Sequence, residues 1–178
     1  MAGSRGDERA WIRGAQSGSV SDLEALFRHH WPRAYRAAYL VVHDSAAAED
    51  IAQEAFLAAV RGLDRFDRRR PFGPWLHRIV VNRAIDWSRS RALRRESGDA
   101  WLDIAEAPAQ PESEHAQTLA AALAELSPEH RAVIVMRHLL EYTPGEIAEA
   151  LGLPRGTVNS RLRRGLDELA GRLEEEVQ

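Results

Sequence analysis

Tyr142 to Leu169, YTPGEIAEALGLPRGTVNSRLRRGLDEL, decides the fold of this 178-residue chain, because it spells two helices joined by a tight turn. Thr143 is placed to cap the first helix, Glu146 three residues on returns the bond, Pro144 falls where a missing N–H costs nothing, and Gly152 supplies a left-handed exit. In the second helix Val158, Leu162, Leu166 and Leu169 recur at i, i+4, i+8 and i+11, which predicts an inward stripe. The opposite arc carries Gly156, Ser160, Arg163 and Arg164. Four arginines and no acid lie between Arg155 and Arg164, and a Gly/Ser-containing helix start allows close approach to a duplex. Arginine also matches guanine edges and phosphates, so the pair reads as a helix-turn-helix. A basic helical hairpin of no special purpose would share the periodicity but not the agreement of caps, turn and arginines.

Outward from this pair, the composition is that of an ordinary globular chain, 44% hydrophobic and 29% charged. It contains no apolar run near the length of a membrane span, and MAGSRGDERA lacks the apolar centre of a signal peptide, so a cytoplasmic protein that does not insert in membranes is expected. No cysteine is present, which removes disulfides, thiolate metal sites and thiol redox sensing. All 24 basic residues are arginine, a bias from which no function follows.

The net charge of −3 hides a segregation along the chain. Residues 61–95 hold eleven arginines against Asp64, Asp67 and Asp86. Residues 96–114 hold six acids, no arginine, and Pro108 and Pro111. Two basic modules flanking an acidic, proline-containing connector predict two small helical domains joined by a flexible linker. Fully extended, such a connector reaches roughly 65 Å, enough to let one chain hold two separated sites on DNA.

The first module shows no period-2 strand and reads as helical throughout. Leu23, Leu26, Phe27, Trp31, Ala34, Tyr35 and Ala38 form one stripe. Asp44 or Ser45 can cap a second helix running to about Leu63, with Ile51, Ala55 and Ala58 inward. After a loop from Phe66 to Pro74, a third helix places Leu76, Ile79, Val80, Ala84 and Trp87 on one side and Trp75, Arg78, Asn82, Asp86 and Arg89 on the other. The second face offers an aromatic ring, an amide and guanidinium groups, the inventory that stacks on bases and bonds their edges. Trp75 alone fits a core position as well as a reading one.

Three stretches together, AEDIAQEAFLAAVRGLDRF from Ala48, PFGPWLHRIVVNRAIDWSRSR from Pro71 and GTVNSRLRRG from Gly156, resemble the extracytoplasmic-function (ECF) group of bacterial sigma-70 family sigma factors. The resemblance covers about Leu23 to Leu169. It implies an all-α fold with a domain 2 at about residues 10–95, the acidic linker at 96–114 and a helix-turn-helix domain 4 at about 115–175. It implies a subunit that binds core RNA polymerase, directs initiation at promoters with −35 and −10 elements, and helps melt the latter. Catalysis and cofactors are not implied.

Residue by residue, the family's polymerase-binding helix falls on Asp50, Gln53, Glu54 and Phe56, which the resemblance docks on the coiled coil of the largest polymerase subunit; the flap region is a further contact of the family. The loop Phe66 to Pro74 resembles the segment that captures a base flipped from the −10 element. The resemblance assigns that element Phe66, Arg68, Arg69, Arg70, Phe72, Trp75, Asn82, Arg83, Asp86, Arg89 and Arg91. Asn159, Ser160, Arg163 and Arg164 match the recognition helix for the −35 element, with Arg155, Thr157 and Arg161 on phosphates. Ser127 and Pro128 start a helix whose Val133, Ile134, Met136 and Leu140 pack under it. The linker corresponds to one that mimics nucleic acid in the RNA exit path, and an anti-sigma partner is expected by analogy. The rival is a stand-alone helix-turn-helix regulator that does not act through polymerase. The seven histidines show no metal-ligand spacing, and no glycine-rich phosphate loop or nucleophile–base pair appears, so an enzyme is not expected.

Overall fold

The structure, a computed structural model, describes residues 5–96 and 114–176. These residues form eight α-helices and no strand: α1 Arg5–Gln16, α2 Val20–Val42, α3 Ser45–Gly62, α4 Phe72–Glu96, α5 Glu114–Ala124, α6 Pro128–His138, α7 Pro144–Leu151 and α8 Arg155–Glu176, with a 3₁₀ turn at Leu63–Arg65. The chain is all-α, as its patterning predicts. The acidic connector read at 96–114 lies, apart from its end residues, outside the described ones.

Helices α1 to α4 form the first group. α1 precedes the stripes on which the sequence reading rests, and its polar composition hides it: Ile12 is fully buried, with Trp11 and Ala15 at the edge of the core. Ser19 caps α2, and His43 ends it in the left-handed region at φ 53°, donating its N–H to the Tyr39 carbonyl at 2.8 Å. The inner face of α2 is largely alanine (Ala34, Ala37, Ala38, all fully buried), which lets α3 and α4 approach closely. Asp44 caps α3, its Oδ1 accepting from the Ala47 N–H at 2.9 Å. α4 starts at Phe72 rather than after Pro74, because proline in a first turn forfeits no intrahelical bond. Leu76, Val80, Val81 and Ala84 are its core residues.

In the second group the expected caps are present. Ser127 Oγ accepts from the His130 N–H, Thr143 and Glu146 form the reciprocal capping box, and Gly152 closes α7 at φ 65°. Val158, Leu162 and Leu169 of α8 are buried, each worth about 1.5–3 kcal/mol of transfer free energy. Leu166 does not belong to that stripe; it is 40% exposed. Its expected place is taken by Gly165, where an added Cβ would stand 3.0 Å from Ile134 Cδ1 and 3.1 Å from His130 Cβ. The missing side chain lets α8 lie directly on α6.

The two groups are docked. α6 is sandwiched between α2 and α4 on one side and α8 on the other, so Arg131 to Met136 are all buried. His77 Nδ1 of α4 shares a hydrogen bond with the Tyr142 hydroxyl at 3.1 Å, in the buried interface. Arg33 of α2 donates to the Leu139 carbonyl at 2.6 Å and pairs with Glu141 at 3.2 Å, a residue held at φ 63°. α6 as a whole thus serves the first group as well as the recognition helix.

Candidate nucleic-acid interface

The recognition arc follows from local chemistry. With Val158 and Leu162 turned inward, Arg155, Asn159, Arg163 and Arg164 project into solvent, while Thr157, Ser160 and Arg161 are half-buried on its flanks. Ser160 Oγ donates to the Thr157 carbonyl at 3.3 Å, which ties that hydroxyl to its own helix. Gly156 leaves open space at the helix start, since nothing beyond its own helix backbone and chain neighbours lies within 4 Å of where its Cβ would be. The arc thus combines a bare helix entrance, one amide and several guanidinium groups at groove-reading spacing.

The second feature is a cleft of about 290 Å³ between α3 and α4, lined by Ala47, Asp50, Ile51, Glu54, Arg83, Asp86 and Trp87. It brings together residues the sequence assigns to two different tasks. Asp50 and Glu54 come from the expected polymerase face, Arg83 and Asp86 from the expected DNA face, and Arg83 Nη1 is ion-paired with Glu54. Gln53 is exposed beside them and bonded to Glu49 at 3.2 Å. Phe56 does not share that surface: it is 5% exposed, packed against Phe27 and Trp31, so it shapes the helix rather than meeting a partner.

The third feature is the segment from Phe66 to Phe72. Arg68, Arg69 and Arg70 are all exposed on a turn that Asp67 organises, accepting from the Arg70 N–H through its carbonyl at 2.9 Å and from the Arg69 N–H through its carboxylate at 3.0 Å. Beneath them Phe66 stacks on Trp75 with centroids 4.7 Å apart, and Phe72 meets Trp75 edge-on at 5.6 Å. Phe72 is buried, which removes it from the residues able to stack on a base. Trp75 is half-buried, with one face on Phe66, and is at once core and loop support.

Two expected DNA residues are engaged by the second group. Asn82 Nδ2 donates to the Ala150 carbonyl of α7 at 3.2 Å, and Arg89 Nε bonds Glu129 of α6 at 2.9 Å. Burial raises the Glu129 carboxyl's proton affinity, but the Arg89 hydrogen bond and charge outweigh it and hold the group below the usual carboxylate range. Arg91 is a structural residue: 7% exposed, it pairs with Asp44 at 3.4 Å and lies 4.9 Å over the Trp87 ring. The Trp87–Arg91 spacing of four on one helix was the available signal. Behind this face, burial holds Arg131 down at about 10 and His77 at about 3. Among the described residues no group of acids and histidines is arranged to hold a metal, and no helix is long and apolar enough to cross a membrane.

A helix-turn-helix packed on a four-helix group with its own basic loop defines a two-part, all-helical DNA-binding protein. Residues 26–94 match the family model of Sigma-70 region 2, and residues 116–169 that of Sigma-70, region 4. The chain is 32% identical to the ECF RNA polymerase sigma factor SigW of Bacillus subtilis, over 91% of this chain and 92% of SigW. It is 34% identical to SigL of Mycobacterium tuberculosis, over 93% and 97% of the two chains. The solved structure of CnrH in complex with the cytosolic domain of CnrY superposes with a TM-score of 0.67 at 29% identity, covering 95% of this chain and 98% of CnrH. The chain therefore belongs to the ECF sigma factors of the sigma-70 family, which direct RNA polymerase in transcription initiation. That family is not one of enzymes.

Proposed function

We propose that this sigma factor divides its work among three surfaces. The exposed polar face of α3, Asp50, Gln53 and Glu54 at the mouth of the cleft, meets the coiled coil of the largest polymerase subunit. The Arg68–Arg70 turn, with Phe66, Trp75, Asn82, Arg83, Asp86 and Arg89, handles the −10 element. The α8 arc reads the −35 element through Asn159, Ser160, Arg163 and Arg164, while Arg155, Thr157 and Arg161 hold phosphates. The observation that carries this reading is the α8 arc, where Arg155, Asn159, Arg163 and Arg164 are exposed over a stripe fully committed to the core.

The docked arrangement bears on that division of work. Asn82 and Arg89 are tied to Ala150 and Glu129 across the two groups, so separation of the groups frees both side chains fully for the −10 strand. The acidic connector at 96–114 supplies the reach. An anti-sigma partner fits the same faces: CnrH is solved with the cytosolic domain of CnrY. The protein acts in the cytoplasm and without catalysis or cofactor of its own.

Run-off transcription with purified bacterial core polymerase tests the reading. Wild type should give promoter-specific transcripts that fall with Asp50→Ala/Glu54→Ala and with Arg163→Ala/Arg164→Ala. Sequence-specific DNA binding without core binding or transcripts would instead establish a stand-alone regulator.

A further inference from the structure

Helix α1 touches the arginine turn at both of its ends. Gln16 Nε2 donates to the Leu63 carbonyl at 2.8 Å and to the Phe66 carbonyl at 3.1 Å, where the chain leaves the 3₁₀ turn. Glu8 Oε1 accepts from the Phe72 N–H at 2.9 Å, where the chain enters α4. Those are bonds across 47, 50 and 64 residues of sequence, from one short helix to the two feet of one loop. The Phe72 N–H belongs to the first turn of α4, a donor with no intrahelical acceptor, so Glu8 acts as a cap delivered by another helix.

The brace is itself held. Ile12, between the two residues, is fully buried, and Trp11 packs on His29 with centroids 5.7 Å apart. Glu8 Oε1 also stands 3.5 Å from His30 Nε2 on α2. His30 and the Phe72 N–H, against the effect of burial, keep its carboxyl below the usual range, so it is a carboxylate acceptor at neutral pH. Glu8 and Gln16 are about 12 Å apart along α1, at 1.5 Å per residue. Between the feet, the turn Asp67–Arg70 carries its own bonds to Asp67.

We infer that Glu8 and Gln16 are positioning residues for −10 recognition, fixing the feet of the arginine turn so that it presents one geometry to the captured base. The inference rests on the reading of this turn as the −10 reader. Its arginines reach phosphates from many loop geometries, but base selection needs one. Loosening the feet therefore lowers discrimination between bases more than it lowers total binding.

The test uses the full chain with core polymerase on bubble promoters that keep one −35 element and vary a single −10 base. Wild type should favour the matched base by roughly ten- to a hundredfold. Gln16→Leu and Glu8→Leu should bring that ratio to within about threefold of unity, chiefly by raising the share of mismatched transcripts, while core binding holds. Glu8→Gln keeps an acceptor oxygen and should keep most of the ratio. Hydrogen exchange of the Arg69 and Arg70 amides should quicken in both leucine variants, which serves if either is too unstable to transcribe. Equal loss of matched and mismatched transcripts, or an unchanged ratio with unchanged exchange, overturns the inference. If wild type shows no −10 preference, or replacing Arg68, Arg69 and Arg70 by alanine leaves it untouched, the reading of the loop itself fails instead.

Discussion

Acid should weaken this protein through His77. The imidazole is 5% exposed, packed between α2 and the segment that carries Tyr142. Burial, with the charges of His30 and Arg33 nearby, lowers its pKa from 6.5 to about 3. A base whose folded pKa is depressed stays neutral in the fold while the unfolded chain takes up a proton. Stability therefore is unaffected by this group above about pH 6.5 and falls as pH drops toward the folded value. At pH 5 the gap already used is about 1.5 pH units, and at about 1.4 kcal/mol per unit the cost is about 2 kcal/mol.

Urea unfolding followed by circular dichroism, at pH 7.5 and pH 5.0, measures it. His77→Gln should be about 1 kcal/mol less stable than wild type at pH 7.5, where it disturbs the bond to the Tyr142 hydroxyl. On going to pH 5.0 it should lose about 2 kcal/mol less than wild type does. His43, whose pKa burial pulls down to about 4, contributes to both proteins and cancels in the difference. Equal acid losses for the two proteins would refute the reasoning, since the site would then be open enough for the folded chain to protonate.

Thr143→Ala removes one half of the capping box and should lower stability by about 1 kcal/mol, seen as a few degrees in the melting temperature. Gly165→Val drives a branched side chain into Ile134 and His130 and should cost about 1–3 kcal/mol, with loss of duplex binding tracking the unfolded fraction. Arg91→Ala strands Asp44 and should cost about 3 kcal/mol of stability, while the salt dependence of DNA binding by the folded fraction stays as in wild type. A shallower salt slope would put Arg91 back on DNA.

The parts legible in the sequence are those whose physics is local. Thr143, Glu146, Pro144 and Gly152 act on backbone within four residues, so α7 and its turn could be written out in advance and are found in place. The first-group stripes were legible for the same reason, since Ala34, Ala38, Ile51, Ala55, Leu76 and Val80 repeat at helical spacing. Contacts between helices were not. Gly165 replaces Leu166 in the α8 stripe because α6 comes too close for a side chain, a fact about a neighbour some thirty residues away. Phe56, expected on the polymerase face, and Phe72, expected at the −10 element, are core residues in three dimensions. α1 has no apolar stripe in the sequence, because its one fully buried residue, Ile12, is joined only by Trp11 and Ala15 in an otherwise mostly polar helix, although its bonds to the loop are specific.

The basic run shows how such blindness biases a functional estimate. Residues 61–95 offer eleven arginines, which invites counting eleven contacts to phosphate. Among the described ones, Arg69 pairs with Asp67 within its own turn, and three are tied to acids of other segments, Arg83 to Glu54, Arg89 to Glu129 and Arg91 to Asp44. The pairs differ in what they allow. Arg91 and Asp44 are both largely buried within one group and stay paired whatever the second group does. Arg83 and Glu54 lie at the surface, where such a pair is worth at most about 1 kcal/mol, so a phosphate or a polymerase side chain can take either partner. Arg89 is also partly exposed, but its acid sits on the second group, so the pair is lost outright when α6 leaves α4. The salt dependence of −10 binding should then steepen by about one contact, or about 0.7 in slope for a single strand, when the groups separate. Charge in this chain is therefore gated by packing, and the same separation that frees Asn82 also adds the cation beside it.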